Sequence, residues 1–378
     1  MNCGVYVNGW AFYDYLRMWR AWGQRYSDRG NQVTLDGENM LTHFALFAAL
    51  ATFSAPSESA SNAPIRVRVD SARSEVVVTV GPIDIPPSEY AHHGADTYRY
   101  FEWPVSGWVR GYRVDVVDSA GALLPRSLLH HAGMANLDRR QLAYPLAERL
   151  FAAGPETTPA VLPGSMGLPM TAATRMSLYF ALMNAGTKPV EGARLRITMM
   201  WTPANGKRVT SIFPLFLDAS SVLGQSSTFA IAPGHSEKSS EFTLPEGGHL
   251  RALGGHLHDY ASEIRLEDAM TGSVIARLGT KKSANGHVES VDRTRFLLSL
   301  HGKRLVANHR YRVVAVYDNP TKEPVSGAMG FLAGIFIPDD PTRWPAVDST
   351  DPIFQKDLAS FSEESSDMMS MDMDHDHR

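Results

Sequence analysis

The chain has 378 residues, of which 44 % are hydrophobic and 20 % charged, a composition typical of a globular protein. Its 36 Lys and Arg against 40 Asp and Glu give a net charge of -4, and no cluster of basic residues favours nucleic acid as a partner. A single Cys excludes an internal disulfide and any thiolate-rich zinc or iron–sulfur site. Metal chemistry would therefore have to use the 14 His, the 16 Met or the carboxylates.

The N-terminal residues 1–63 are interpreted as a leader. Residues 41–55 are apolar and almost uncharged, too short for a transmembrane helix of about 20 residues and typical of the hydrophobic region of a signal peptide. Met40 directly precedes them, so we hypothesise that translation begins there and that Ser61-x-Ala63 is the cleavage site. We therefore expect a periplasmic or secreted protein. A buried helix or a membrane anchor over 41–55 is the alternative, and an anchor would be the only membrane contact.

From Pro64 the hydrophobic pattern changes to a period of two residues, which indicates paired strands. The clearest runs are IRVRVDSARSEVVVTV, GWVRGYRVDVV, SLYFALM, ARLRITMMW, SEIRLEDA and RYRVVAVYDN. One segment, RRQLAYPLAERLFAAG, predicts a short helix. We predict an all-β chain of two tandem jelly-roll β-sandwich domains, residues 64–188 and 189–340, divided at the Gly/Pro turn cluster NAGTKPVEG.

Residues 341–378 lose this periodicity and are predicted to form an acidic, disordered tail. The last eleven residues are rich in thioether and imidazole side chains, which can hold Cu(I) and pass it on: Met368, Met369, Met371, Met373, His375 and His377. A solvated acidic tail without metal is the alternative.

A His-x-His motif, His256 and His258, is the clearest candidate for a metal site. Residues i and i+2 of a strand face the same side, so both imidazoles could reach one ion. The adjacent Asp259 and Tyr260 would either orient an imidazole or lie on the surface.

A second candidate is the adjacent pair His130-His131. Neighbouring residues of a regular strand point to opposite faces, so both reach one metal only if the backbone twists or if they use different ring nitrogens. The similar pair His92-His93 stands in a turn-like setting and is interpreted as a solvated loop. Met329 lies in an apolar run, where Met is usually a core residue.

The order of these elements is informative. His130-His131 is followed after about 125 residues by His256-x-His258, and after about 70 more by Met329, which follows a Tyr-Asp-Asn strand. This arrangement resembles the copper type II, ascorbate-dependent monooxygenases, the family of peptidylglycine α-hydroxylating monooxygenase and dopamine β-monooxygenase. The resemblance covers about residues 64–340.

The resemblance implies two jelly-roll domains that each hold one copper across a solvent-filled cleft. His256, His258 and Met329 match the ligands of the oxygen-binding copper, and His130 and His131 match two of the three histidines of the electron-transfer copper. The stretch that matches the third histidine, SLYFALMNAG, has none. Met183 is the only candidate donor there, whereas Leu182 aligns about as well and cannot coordinate. One or two copper ions per chain are therefore expected.

Three functions follow as hypotheses. The first is a copper-dependent monooxygenase that hydroxylates a small-molecule or peptide substrate with O₂ and an ascorbate-like reductant. The second is a non-catalytic copper-binding or copper-delivery protein on the same fold, favoured by the missing histidine and the tail. The third is a β-sandwich recognition module without metal. The sequence has no G-x-S-x-G, phosphate-binding Gly loop or H-E-x-x-H motif.

Overall fold

A computed structural model describes residues 63–87, 97–154, 159–204, 209–220, 229–284, 286, 288–296 and 302–361. The leader apart from Ala63, the His92-His93 pair and the Met/His-rich residues of the tail lie outside the described residues. Among the described residues, no helix has the length and apolar character needed to span a bilayer.

The first domain, residues 63–212, is a sandwich of two β-sheets. Its strands in chain order are β1 (Ile65–Asp70), β2 (Glu75–Ile85), β3 (Thr97–Glu102), β4 (Gly107–Val117), β5 (Leu129–Arg140), β6 (Ala147–Ala153), β7 (Ala160–Val161), β8 (Met166–Met170), β9 (Arg175–Leu182), β10 (Val190–Pro203) and β11 (Thr210–Ser211). One sheet has the order β1-β2-β10-β4-β8-β11, with β7 beside β4, and the other has the order β3-β9-β5-β6.

The second domain, residues 213–338, is a sandwich of the same kind. Its strands are β12 (Phe213–Asp218), β13 (Phe229–Ile231), β14 (Gly234–Thr243), β15 (Gly248–Leu257), β16 (Ala261–Asp268), β17 (Val274–Lys282), β18 (Val288–Val291), β19 (Arg293–Arg295), β20 (Lys303–Leu305), β21 (Arg310–Asn319), β22 (Val325–Ala328) and β23 (Gly330–Pro338). The sheets have the orders β12-β23-β15-β19 and β14-β21-β16-β17-β18, β20 also pairs with β15, and β13 pairs with β22.

The two domains share one strand order. In the first, β2-β10-β4-β8 faces β3-β9-β5-β6, and in the second, β12-β23-β15-β19 faces β14-β21-β16-β17. In both, the first and last main strands are neighbours and the chain crosses between the sheets, which is the jelly-roll topology. The predicted tandem jelly-roll architecture is confirmed.

Alternation of side chains builds both cores. Val76, Val78 and Val80 of β2 are fully buried in the first domain, as the EVVVTV pattern predicts, and Val313 and Ala315 of β21 are buried in the second. Each domain has its own hydrophobic cluster.

A ten-residue turn segment occurs once in each domain, as NAGTKPVEGA at 184–193 and NPTKEPVSGA at 319–328, and in both it connects strands of different sheets. Asn184 Nδ2 donates to Lys188 O at 2.8 Å while its Oδ1 accepts from the Gly186 N–H at 3.0 Å. Asn319 makes the same pair of bonds, to Glu323 O and from the Thr321 N–H, both at 3.0 Å. Each segment then leads into the last main strand of its domain, so the same turn is built twice.

The structure places β10, which begins just after the predicted boundary between residues 188 and 189, in the first domain. β10 pairs with β2 on one side and β4 on the other over most of its length. The Gly/Pro cluster is therefore a connection inside the first domain, from β9 in one sheet to β10 in the other, and the domains divide between residues 212 and 213.

The predicted helix over RRQLAYPLAERLFAAG is wrong. Residues 141–146 form a connection, and residues 147–153 form β6, which pairs with β5. Leu142 and Leu146 give the segment its helix-like spacing, but both pack into the core of the second domain. Tertiary contacts therefore override the local pattern.

Residues 341–361, predicted as the start of the flexible tail, belong to the fold. A 3-10 turn at Pro341–Arg343 is followed by helix α1 (Pro352–Ala359). Asp351 caps α1 by accepting from the N–H groups of Ile353 and Phe354, and Pro352 occupies the first helical position. Phe354 and Phe361 are buried against the first domain.

The two domains are in direct contact through the connection between β5 and β6. The Tyr144 ring lies 6.4 Å from that of Phe242, and its hydroxyl accepts a hydrogen bond from the Asp218 N–H at 3.3 Å. Phe213 stacks on Trp344 at 4.3 Å, which ties the start of the second domain to the C-terminal segment.

Candidate metal centre

The His256/His258 pair lies at the end of β15. His256 pairs with Phe331 of β23, and His258 follows the last residue of the strand. The ring centroids are 5.1 Å apart and the ring planes are perpendicular. Both side chains are half-buried, yet Nε2 of His256 is shielded from solvent and has no hydrogen-bond partner among the described residues. The arrangement expected from the i, i+2 spacing, two imidazoles side by side, is present.

Met329 is held next to His258 by the backbone. It lies between β22 and β23, and its carbonyl oxygen accepts from the His258 N–H at 3.4 Å and from the buried Tyr317 hydroxyl at 2.5 Å. The carbonyl of Gly327 accepts from His258 Nδ1 at 2.6 Å. With Nδ1 engaged in this way, Nε2 is the nitrogen of His258 left to face a metal.

Burial keeps this pair neutral. It lowers the pKa of His256 well below the usual value, and the neighbouring His258 lowers it further. Burial also lowers the pKa of His258, against the opposing effects of the Gly327 carbonyl and Asp259. Neutral imidazole is the form that binds a metal, so no proton has to be displaced near pH 7.

Asp259 and Tyr260 brace the turn after the pair. Asp259 Oδ1 accepts from the Val288 N–H at 3.1 Å, and the Tyr260 N–H donates to Gly286 O at 2.9 Å. Tyr260 adopts a φ of 67°, which the close packing of its ring on Gly286 maintains. The hydrogen bonds of both residues therefore hold the backbone of the turn that follows His258.

The His130-His131 pair lies at a β-bulge in β5. Leu129 pairs with Leu182 and His131 with Ala181, so β5 has one residue more than β9 at this point, and His130 is that residue. A bulge turns two successive side chains toward the same side. The imidazole centroids lie 5.0 Å apart, and both residues are buried, with exposed fractions of 2 % and 0 %. The backbone irregularity that this pair requires is therefore present.

Tyr179 of β9 covers this pair. It lies opposite Gly133, and a Cβ on Gly133 would come within 2.1 Å of the tyrosine ring, so only glycine leaves room for it. The Tyr179 ring centroid is 6.0 Å from that of His131. Tyr179 was not among the residues singled out from the sequence, because its opposition to a glycine is a property of strand pairing.

Met183 follows the last residue of β9, and its N–H donates to Leu128 O at 2.9 Å. Leu182 is buried in the core of the first domain. Alternation places Met183 on the opposite face, with Ala181 and Tyr179, which is the face of His131. Of the two residues that could align with the third histidine of the resembled family, Met183 is the one on the side of the pair.

The donor types near the two histidine pairs are ones that copper can use. Among the described residues, no group of three or more His, Cys, Asp or Glu side chains is placed to hold a metal. Each histidine pair instead has a methionine close along the backbone, and the side chain of Met329 is 1 % exposed and part of the core of the second domain. Imidazole and thioether donors favour Cu(I).

Comparison with known proteins identifies no family, because no family model and no curated protein matches the chain. Among solved structures, the mavirus major capsid protein is 9 % identical, with a TM-score of 0.24, over 80 % of this chain and 94 % of that one. The Faustovirus major capsid protein is 8 % identical, with a TM-score of 0.24, over 78 % of this chain and 82 % of that one. PNGF-II is 11 % identical, with a TM-score of 0.23, over 72 % of this chain and 61 % of that one. At these TM-scores the similarities carry no argument about function, and the fold assignment rests on the strand order.

Proposed function

We propose that this chain is an exported copper protein that hydroxylates an organic substrate with O₂ and an external reductant. The observation that carries the proposal is the second-domain centre. Two neutral imidazoles lie 5.1 Å apart, and the backbone of Met329 is tied to His258. The order of histidines and methionine, which resembles the copper type II monooxygenases, supports the same assignment.

His256, His258 and Met329 would hold one copper ion, and His130, His131 and Met183 a second. Bound copper supplies the one-electron chemistry that activates O₂. Overall, a substrate C–H bond, O₂, two electrons from the reductant and two protons yield the alcohol and water. The residues of the second centre fix the ligand geometry: Gly327 O orients the His258 ring, and Tyr317 holds the Met329 carbonyl. Both histidines are half-buried as whole residues, and their Nε2 atoms are shielded from solvent.

Replacement of Met329 by Leu is the test, because it removes the sulfur while nearly conserving volume and should cost less than about 1.5 kcal/mol of stability. We expect unchanged folding and a fall of about 100-fold or more in reductant-dependent O₂ uptake. We also expect loss of one sulfur neighbour in X-ray absorption of the Cu(I) form, measured in chains whose tail methionines are replaced by Leu. Met270→Leu, at an exposed methionine, is the matched control. Full turnover in Met329→Leu would refute this assignment of the centre.

A copper-storage or copper-delivery protein is the second candidate. It is favoured by the near-complete burial of His130 and His131 and by a first-domain centre that has no third histidine. It predicts that the protein retains Cu(I) and transfers it to a chelator or acceptor, with no O₂ uptake above the rate of free copper plus reductant. Elemental analysis and an oxygen electrode distinguish the two functions.

A further inference from the structure

A cleft of about 370 Å³ lies between the first domain and the C-terminal segment. One wall comes from the end of β5 and from the turn that follows β8, and the other comes from Trp344 and residues 345–347. The volume lies in the range of about 300–1,000 Å³ that is typical of small-molecule sites. None of the residues that line the cleft belongs to either histidine pair, so it is not part of the proposed copper centres.

The C-terminal wall of the cleft is fixed at both of its ends. At one end, Trp344 Nε1 donates to the carbonyl of Arg140 at 2.8 Å, and the indole stacks on Phe213 with 4.3 Å between ring centroids. At the other end, Asp357 of α1 forms a buried, two-pronged ion pair with Arg149 of β6, at 2.6 Å for each contact. The wall is therefore in place before any ligand arrives, which lowers the entropic cost of binding.

Trp344 gives the cleft an aromatic surface. Because Phe213 covers one face of the indole, a ligand would meet the other face or the edge of the ring. An immobilised aromatic ring packs well against the C–H groups of an organic ligand. One side of the ligand is therefore expected to be apolar.

Arg139 supplies hydrogen-bond donors to the same cleft. Its Nε and Nη2 atoms donate to the carboxylate of Glu148 at 2.7 and 2.6 Å, and its Nη1 atom donates to Pro169 O at 2.9 Å. A guanidinium group has five N–H groups, so two of them have no oxygen acceptor among the described residues, although the Met170 sulfur lies 4.0 Å from Nη2. The three bonds to oxygen hold the guanidinium in one orientation at the cleft.

Hydroxyl groups stand on the turn after β8. Thr171 and Thr174 both line the cleft. The Thr174 hydroxyl donates to Thr171 O at 2.8 Å, so its oxygen can still accept a hydrogen bond. The exposed Thr171 hydroxyl can either donate or accept.

The charges that border the cleft are already paired. Arg139 faces the buried Glu148, and Asp138 forms an ion pair with Arg175 at 2.6 Å. An ionic ligand would therefore gain little net Coulomb attraction here. A neutral ligand with several hydroxyl groups could use the donors of Arg139 and both threonine hydroxyls while its C–H face lies against Trp344.

We propose that this cleft is a binding site for a neutral carbohydrate, of the size of a mono- or disaccharide. The inference goes beyond the proposed function and requires no copper at either histidine pair. The C-terminal segment would then act as one jaw of the site, and the first domain as the other.

The test titrates the full chain with glucose, galactose, mannose, maltose and lactose, and with citrate as an anionic comparison, and follows binding by NMR. We expect at least one saccharide to shift the indole ¹⁵N–H signal of Trp344, which the Trp344→Phe variant assigns. We also expect that saccharide to slow the amide exchange of Ala346 and Val347, because it bridges the two walls.

Thr171→Val removes one exposed hydroxyl and should weaken the affinity for that saccharide about threefold to tenfold, the equivalent of one neutral hydrogen bond. Trp344→Phe should weaken it about fivefold or more, because it shrinks the aromatic surface. Thr187→Val, at an exposed threonine of the same domain outside the cleft, is the matched control and should change nothing.

Two results would overturn the proposal. If none of the five saccharides binds, or if citrate binds more tightly than they do, the ligand is not a neutral carbohydrate. If a saccharide binds but its affinity is the same in Thr171→Val, Trp344→Phe and Thr187→Val, it binds elsewhere and the cleft is not its site.

Discussion

The two domains have the same strand order and the same Asn-anchored turn segment, but their histidine pairs occupy different places. In the first domain the pair lies on a bulge inside the β3-β9-β5-β6 sheet and is buried, whereas in the second it stands half-buried at the end of β15 in the other kind of sheet. A common scaffold therefore carries two differently placed histidine pairs. In the proposed function, the buried pair would exchange electrons or store copper, and the half-buried pair would meet substrate.

The repeated turn segments show where the domains diverge. Counting from Asn184 and Asn319, the position of Met329 corresponds to Arg194 in the first domain. Arg194 is half-buried and donates a hydrogen bond to the carbonyl of Ser119 at 2.7 Å. Met329 thus has no counterpart after the first turn segment, and the surroundings of one histidine pair are not a copy of those of the other.

The largest expected effect concerns the buried ion pair between Arg149 and Asp357, which anchors helix α1 to the first domain only. Asp357→Ala leaves Arg149 buried without its counter-charge, which typically costs about 3–5 kcal/mol. We expect calorimetry to show a lower melting temperature. We expect hydrogen exchange to show that β5 and β6 lose protection before the strands of the second domain do. Asp348→Ala, at an exposed carboxylate of the same segment, should change little. Equal loss of protection in both domains would contradict the view that the Arg149–Asp357 ion pair stabilises the first domain in particular.

The next effect concerns the second domain. Burial raises the pKa of Asp218 to about 6 from 3.8. Between these values the unfolded chain has lost the proton and the folded chain keeps it, so the free energy of unfolding falls as the pH rises from about 4 to about 6. The pKa difference corresponds to about 3 kcal/mol.

Asp218→Asn has no proton to lose at this position. We therefore expect its stability relative to the wild type to rise by up to about 3 kcal/mol between pH 4 and pH 7.5, as measured by urea unfolding. A constant difference across this range would show that the Asp218 carboxyl is not the titrating group.

A smaller effect is expected at the Asn-anchored turn segment that the two domains share. Asn184→Ala and Asn319→Ala each remove the side-chain hydrogen bonds of one turn, at about 1–3 kcal/mol. We expect comparable destabilisation in the two domains, but only Asn319→Ala should weaken Cu(I) binding at the second centre, because that turn leads to Gly327 and Met329. Copper titration and domain-resolved hydrogen exchange test both statements. Weaker copper binding in both variants would indicate coupling between the centres.

The two-residue period predicts the strands of the clearest alternating runs, and the i, i+2 spacing predicts that His256 and His258 lie side by side. The period predicts neither strand β5 nor the bulge at His130, which arises from pairing with Leu182 and Ala181 of β9. The predicted boundary at 188/189 is wrong because the turn cluster connects β9 to β10, which returns to the first sheet of the same domain. The start of helix α1, by contrast, can be predicted from Asp351-Pro352, an N-cap residue followed by proline at the first helical position.

The contact between Arg149 and Asp357 joins residues 208 positions apart in the sequence. Strand β6 is synthesised long before helix α1, so Arg149 has no Asp357 carboxylate to pair with until the whole second domain has been synthesised. The domain that is synthesised first is therefore the last to be completed.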